Sequence, residues 1–125
     1  PRAFAMAGLG PTDIDIAMIY DSFTITVLMT LEDLGFCKKG EGGGFVSGGR
    51  IQLGGELPVN TDGGGLSSNH PGMRGIFLLI EAAKQLRDDF RGTERQVPDC
   101  NVAVCHGTGG SLMSGGTIIL ARDGR

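Results

Sequence analysis

Apolar positions along the chain follow two main patterns. Residues 15–20 (DIAMIY), 101–105 (NVAVC) and 117–121 (TIILA) are short, mostly apolar runs. They predict strands, the first of them covered on both faces. Residues 23–34 return Val27, Leu28, Leu31 and Leu34 at helical spacing around Glu32 and Asp33, and Gly35 follows as a stop. Residues 72–90 repeat the helical pattern: Ile76, Phe77, Leu79, Ile80, Ala83 and Leu86 form a broad apolar face, with Glu81, Lys84, Gln85, Arg87 and Asp88 opposite. Residues 1–9, almost free of polar side chains, suit a short buried helix ending at Gly8 or Gly10. Pro11-Thr12-Asp13 is turn chemistry, and Asp21 or Ser22 is placed to cap the helix after the first strand.

Glycine separates these elements. Of 23 glycines, 11 fall between Gly40 and Gly65, within a glycine-rich loop spanning residues 37–69. Phe45, Val46, Ile51, Leu53, Leu57 and Val59 interrupt that loop and argue for a packed segment over a simple linker. No Gly-Lys-Ser/Thr follows, so it is not a phosphate loop. Residues 106–116 (HGTGGSLMSGG) predict a glycine-rich turn. Too short for a crossover, it makes the last two strands an antiparallel pair. The order is helix, strand, helix, loop, helix, strand, strand. This is the tail of an α/β layered domain that lacks its first strand.

Length and composition narrow the function. The 125 residues fit one domain, residues 1–125. A net charge of −3 leaves no polybasic surface, so nucleic acid is not an expected partner. No apolar run approaches the ~20 residues of a membrane span, and PRAFAMAGLG lacks a signal peptide's apolar region. Cys37, Cys100 and Cys105 are odd in number and lack C-x-x-C spacing. They argue against a disulfide framework or zinc site and for a reducing, cytoplasmic setting. The chain opens without Met inside a helix pattern, which points to a fragment of a longer polypeptide. A trimmed chain lacking only disordered residues is the alternative.

Four points carry candidate chemistry. Residues 59–77 (VNTDGGGLSSNHPGMRGIF) deliver His70 from a glycine-lined loop to a proline-opened helix start. Tyr20 closes the first strand, Cys105 and His106 end the second, and a glycine turn follows. Sites in open α/β sheets gather at such strand ends and helix N-termini. Each residue also has a plain structural reading. His70 can cap its helix, Tyr20 can be a core aromatic, Cys105 a small buried hydrophobe, and His106 a backbone partner. Their joint placement raises the functional reading.

Three stretches carry a resemblance: DIAMIYDSFTITVLMTLEDLGFCKKGEGG, GGELPVNTDGGGLSSNHPG and QVPDCNVAVCHGTGGSLMSGGTIIL. Over essentially its whole length the chain resembles the C-terminal half of a thiolase-superfamily protein. It is most similar to the sterol-carrier-protein-type thiolases and to the lipid-transfer-protein branch that includes steroid side-chain aldolases. The resemblance implies a layered βαβαβαββ half, a mixed sheet with helices on both faces. It implies pairing with an N-terminal half that carries the nucleophilic cysteine, a homodimer or hetero-oligomer, and coenzyme A thioesters of lipid, sterol or fatty-acid metabolism as substrates. No bound cofactor or metal is implied.

The resemblance also implies roles. His70 falls on the family's Gly-His-Pro histidine, which activates the nucleophile, although Asn69 replaces the glycine. Tyr20-Asp21-Ser22-Phe23 falls on the Asn-Glu-Ala-Phe or His-Asp-Cys-Phe motif, whose first residue serves the enolate oxygen. Tyrosine there departs from the thiolases and is shared with the aldolase-like branch, and Ser22 replaces a proton-shuttling thiol. Cys105-His106-Gly107-Thr108-Gly109 resembles Cys-x-Gly-x-Gly. On that match Cys105 or His106 is the acid/base, and the backbone of Gly107, Gly109 and Gly110 helps to form an oxyanion site with Ser22 nearby.

Three readings follow. The first is a thiolase-type acyltransferase that forms or cleaves a carbon–carbon bond in an acyl-CoA, with this chain supplying the base and oxyanion half and inactive alone. The second is a retro-aldol lyase on a β-hydroxyacyl-CoA, favoured by Tyr20 and Ser22. The third is a non-catalytic acyl-CoA- or lipid-binding subunit.

Overall fold

The computed structural model describes residues 2–70 and 72–124. Pro71, expected to open the second long helix, lies outside the described residues. A three-stranded sheet organises the chain. β1 (Ile16–Ile19) runs parallel to β2 (Val102–Gly109), which pairs antiparallel with β3 (Ser114–Ala121), in the order β1-β2-β3. The helices are α1 (Arg2–Ala7), α2 (Thr24–Leu34), α3 (Gly42–Val46) and α4 (Arg74–Leu86).

Strand alternation splits the core in two. Ile16 and Met18 pack with Ala103 and Cys105 against Leu78, Ala82 and Leu86 of α4. Ala17 and Ile19 pack with Val102 and Val104 against Leu31 of α2 and Phe4 of α1. Helices therefore cover both faces, the expected mixed α/β arrangement. Each fully buried Leu or Ile contributes about 1.5–3 kcal/mol. Gly35 stops α2 in the left-handed conformation, φ 90°.

The glycine-rich segment is structured. Leu57 is buried, and Phe45, Val46, Ile51 and Val59 pack against the α2-side core, while Leu53 is exposed. Its end covers the edge of β1. Ala17 N–H donates to the Pro58 carbonyl, and Asn60 N–H to the Ala17 carbonyl, both at 3.0 Å. The Asn60 side chain then extends the ladder, accepting from Ile19 N–H at 2.8 Å and donating to the Ile19 carbonyl at 2.9 Å.

Four expectations are corrected. In α1 only Phe4 is buried, because a six-residue helix turns few positions inward. Neither Asp21 nor Ser22 caps α2; Phe23 is its boundary residue, and no side chain bonds there. Residues 106–109 continue β2, and the turn is confined to residues 110–113, with positive φ at Gly110, Ser111 and Leu112.

The fourth concerns α4. Glu81 and Gln85, expected on the water face, are 3% and 0% exposed, whereas Ile76, Phe77 and Ile80 are 44–47% exposed. The polar residues are tolerated inside because they are satisfied. Glu81 accepts from the Thr61 hydroxyl at 2.7 Å and from Arg95 Nη2 at 2.5 Å, and the Gln85 amide donates to the Arg95 carbonyl at 2.8 Å and accepts from Val97 N–H at 2.9 Å.

Candidate active site

The strand end and the histidine loop meet. Tyr20 N–H donates to the His106 carbonyl at 2.9 Å, which fixes the tyrosine just beyond β1. By alternation its ring lies on the α4 side, against the core that contains Met18. The Tyr20 hydroxyl lies 3.0 Å from His70 Nε2 and 3.3 Å from Nδ1, with ring centroids 5.8 Å apart. The hydroxyl can donate to the unprotonated ring nitrogen or accept from the protonated one.

A cavity of about 410 Å³ opens beside this pair. Tyr20, Ser22, His70, Gly109 and Gly110 line it, together with Phe23, Thr26, Thr108, Ser111 and Leu112. Its wall is the β2–β3 hairpin, where glycine leaves the backbone open to close approach. Ser22 Oγ is bonded to Thr26 Oγ1 at 3.0 Å, so the two hydroxyls act as one unit. Among the described residues no group of His, Cys, Asp and Glu could hold a metal ion.

Cys105 and His106 do not share the cavity. Cys105 lies under α4, with Sγ 3.6 Å from the Leu78 carbonyl, and burial pushes its thiol up to about 12. Burial keeps a thiol so placed protonated near neutral pH. His106, one residue on, faces the α2 side of the sheet. Its Nδ1 lies 2.8 Å from Thr117 Oγ1, and its imidazole leans over Gly115, where a Cβ would approach Cε1 to 3.2 Å. Burial lowers its pKa, partly opposed by Asp33. Gly107 belongs to the same strand but is not among the lining residues.

The loop that carries His70 is stitched to the strand end. Asp21, 5% exposed, accepts from Gly65 N–H at 2.9 Å and Leu66 N–H at 3.1 Å. Asp62 accepts from Gly64 N–H at 3.0 Å and from Arg74 Nη2 at 2.6 Å, which ties the loop to the start of α4. Sequence reasoning missed Asp21 in this role, and Thr26, Thr108 and Leu112 as lining. The run Gly63-Gly64-Gly65 was the available signal, since it marks a backbone that something approaches closely.

The model for the family described as "Thiolase C-terminal domain-like" matches residues 1–122. The chain belongs to this family. The thiolase-like domain is 44% identical over 110 residues to a steroid side-chain-cleaving aldolase of Thermomonospora curvata, covering 86% of this chain and 27% of that protein. It is 40% identical over 117 residues to an acetyl-CoA acetyltransferase of Methanothermobacter thermautotrophicus, covering 93% and 29%. It is 38% identical over 109 residues to sterol carrier protein 2 of Rattus norvegicus, covering 86% and 20%. Among solved structures it resembles the "Ltp2-ChsH2(DUF35) aldolase" with a TM-score of 0.78 and 33% identity, covering 98% of this chain and 30% of that one. The domain thus spans less than a third of the length of each of these relatives. No helix among the described residues is long and apolar enough to cross a membrane.

Proposed function

We propose that the thiolase-like domain supplies the proton-transfer half of an active site that cleaves a carbon–carbon bond in a β-hydroxyacyl-CoA by a retro-aldol step. The observation that carries this reading is the Tyr20–His70 hydrogen bond on the cavity wall. The Tyr20 oxygen takes the β-hydroxyl proton while its own proton passes to His70 Nε2. The Cα–Cβ bond breaks, a carbonyl forms at Cβ, and the electron pair moves into the thioester enolate. The imidazolium returns its proton through Tyr20 to Cα, giving a shortened acyl-CoA. Donors at the hairpin wall, the Thr108 hydroxyl among them, hold the enolate oxygen.

No acyl-cysteine is needed in this scheme. The similarity to an aldolase at 44% identity favours the same chemistry. The second reading, thiolase-type acyl transfer, uses the same His70 and oxyanion wall with a nucleophilic cysteine from the rest of the protein. The similarity to an acetyl-CoA acetyltransferase favours it.

The rest of such a protein has a surface to pack on. Ile76, Phe77 and Ile80 with Met73 form an exposed apolar stripe on α4, opposite the side that meets the sheet. We assign that stripe to the N-terminal thiolase-like half.

Incubating the protein at its natural length with a β-hydroxyacyl-CoA tests the reading. The expected result is a free carbonyl product and a shortened acyl-CoA, with no acyl adduct on the protein by mass spectrometry. Product formation that requires free coenzyme A and passes through a cysteine-bound acyl group would decide for acyl transfer instead.

A further inference from the structure

Three consecutive residues at the end of β1 each hold a different part of the loop that ends in His70. Ile19 pairs through its backbone with the Asn60 side chain, Tyr20 bonds His70, and Asp21 binds the N–H groups of Gly65 and Leu66. We propose that Asp21 is the positioning residue that sets the approach of His70 to Tyr20, by clamping the turn at Gly64-Gly65-Leu66. The proposal rests on the functional reading above for its catalytic consequence, but not for its geometry.

The glycine run fits this carboxylate. A Cβ on Gly64 would overlap Asp21 Oδ2, and one on Gly65 would come within 3.0 Å of Asp21 Oδ1. Gly64 also holds φ 76°, a left-handed conformation that disfavours other residues. The carboxylate is buried, and both its oxygens are engaged by backbone donors. Charge-assisted bonds of this kind are short and directional. Tyr20 and Asp21 are covalent neighbours, so one strand end fixes both the hydroxyl and the loop that carries its partner. Beyond Leu66 the loop is held by local contacts, with the Ser67 and Ser68 hydroxyls donating to the Gly64 carbonyl at 3.2 Å. A shift of the Gly64–Leu66 turn is therefore passed on to His70.

The test uses the protein at its natural length. In the unaltered protein, hydrogen exchange should find the Gly65 and Leu66 amides protected; exchange of both at unprotected rates would overturn the proposal without any variant. Asp21→Ala should shift the His70 imidazole nitrogen resonances toward those of Tyr20→Phe, with Asp21→Asn between, because it keeps one acceptor. Gly64→Ala should give the same shift with the carboxylate retained. On the lyase reading, Asp21→Ala should lower kcat about 10²-fold through misplacement of the pair. KM should move less than about threefold. Unchanged His70 resonances in folded Asp21→Ala would overturn the proposal whatever the activity. Shifted resonances with no lyase turnover in the unaltered protein would uphold it and sink the functional reading alone.

Discussion

Tyr20 and His70 stand 50 residues apart in the chain and 3.0 Å apart through Oη and Nε2. The bond joins the end of a buried strand to the end of a glycine loop, and on the proposed reading the two side chains act as one acid–base unit. Tyr20→Phe keeps the ring and removes the proton path. It should reduce turnover of a β-hydroxyacyl-CoA by about 10²–10⁴-fold with little change in thermal stability, read by steady-state kinetics beside a melting curve. Wild-type kcat in Tyr20→Phe would remove the hydroxyl from the mechanism.

The cysteines separate by burial. Cys100 and Cys105 are buried with thiols pushed up to about 12, whereas Cys37 is half-exposed in the loop after α2. Iodoacetamide at pH 8 should label Cys37 in the native protein, and all three cysteines only in denaturant. Cys105→Ala should cost about 1 kcal/mol of stability and leave turnover near the wild-type value. Fast native labelling of Cys105, or loss of turnover in Cys105→Ala, would return this thiol to the mechanism.

His106 makes stability depend on pH. Its folded pKa lies below the ordinary value of 6.5, chiefly because burial disfavours the charged ring. The unfolded chain therefore binds the proton first as pH falls. The contribution is fully present above 6.5 and is lost as pH drops from there toward the folded value. His106→Gln should flatten the fall in denaturation midpoint as pH drops below 6.5. An unchanged slope would mean that the ring is not buried as described.

The Glu81–Arg95 pair is asymmetric. The Glu81 side chain is 4% exposed and that of Arg95 43%. Arg95→Met strands a buried carboxylate and should cost about 3–5 kcal/mol. Glu81→Gln leaves a guanidinium that can turn to water, where it stacks on Phe90 at 4.3 Å, and should cost about 1–2 kcal/mol. Urea unfolding of the two variants gives the order directly; equal costs would contradict it.

Much of this was legible in the residues because it is local. Residues 15–20 and 101–105 are too apolar to be anything but covered strands, Gly35 must end a helix, and a short glycine join must return its strand antiparallel. His70 at the end of a glycine loop, and Tyr20 at a strand end, are likewise statements about neighbours in the chain. The separation of Cys105 from His106 was also present in principle, since adjacent strand residues face opposite sides. Only the pairing of β1 with β2 decides which side carries Tyr20. Helical period likewise gives α4 two stripes without saying which one the sheet covers. Glu81 and Gln85 lie inside because Thr61, Arg95 and Val97 arrive from elsewhere to satisfy them. Asp21 reads as a helix cap until its partners, 44 and 45 residues away, are in place. Local sequence determines what each segment can become. Which face is buried and which polar groups meet depends on distant segments that solvate one another in the absence of water, and only the tertiary structure decides that.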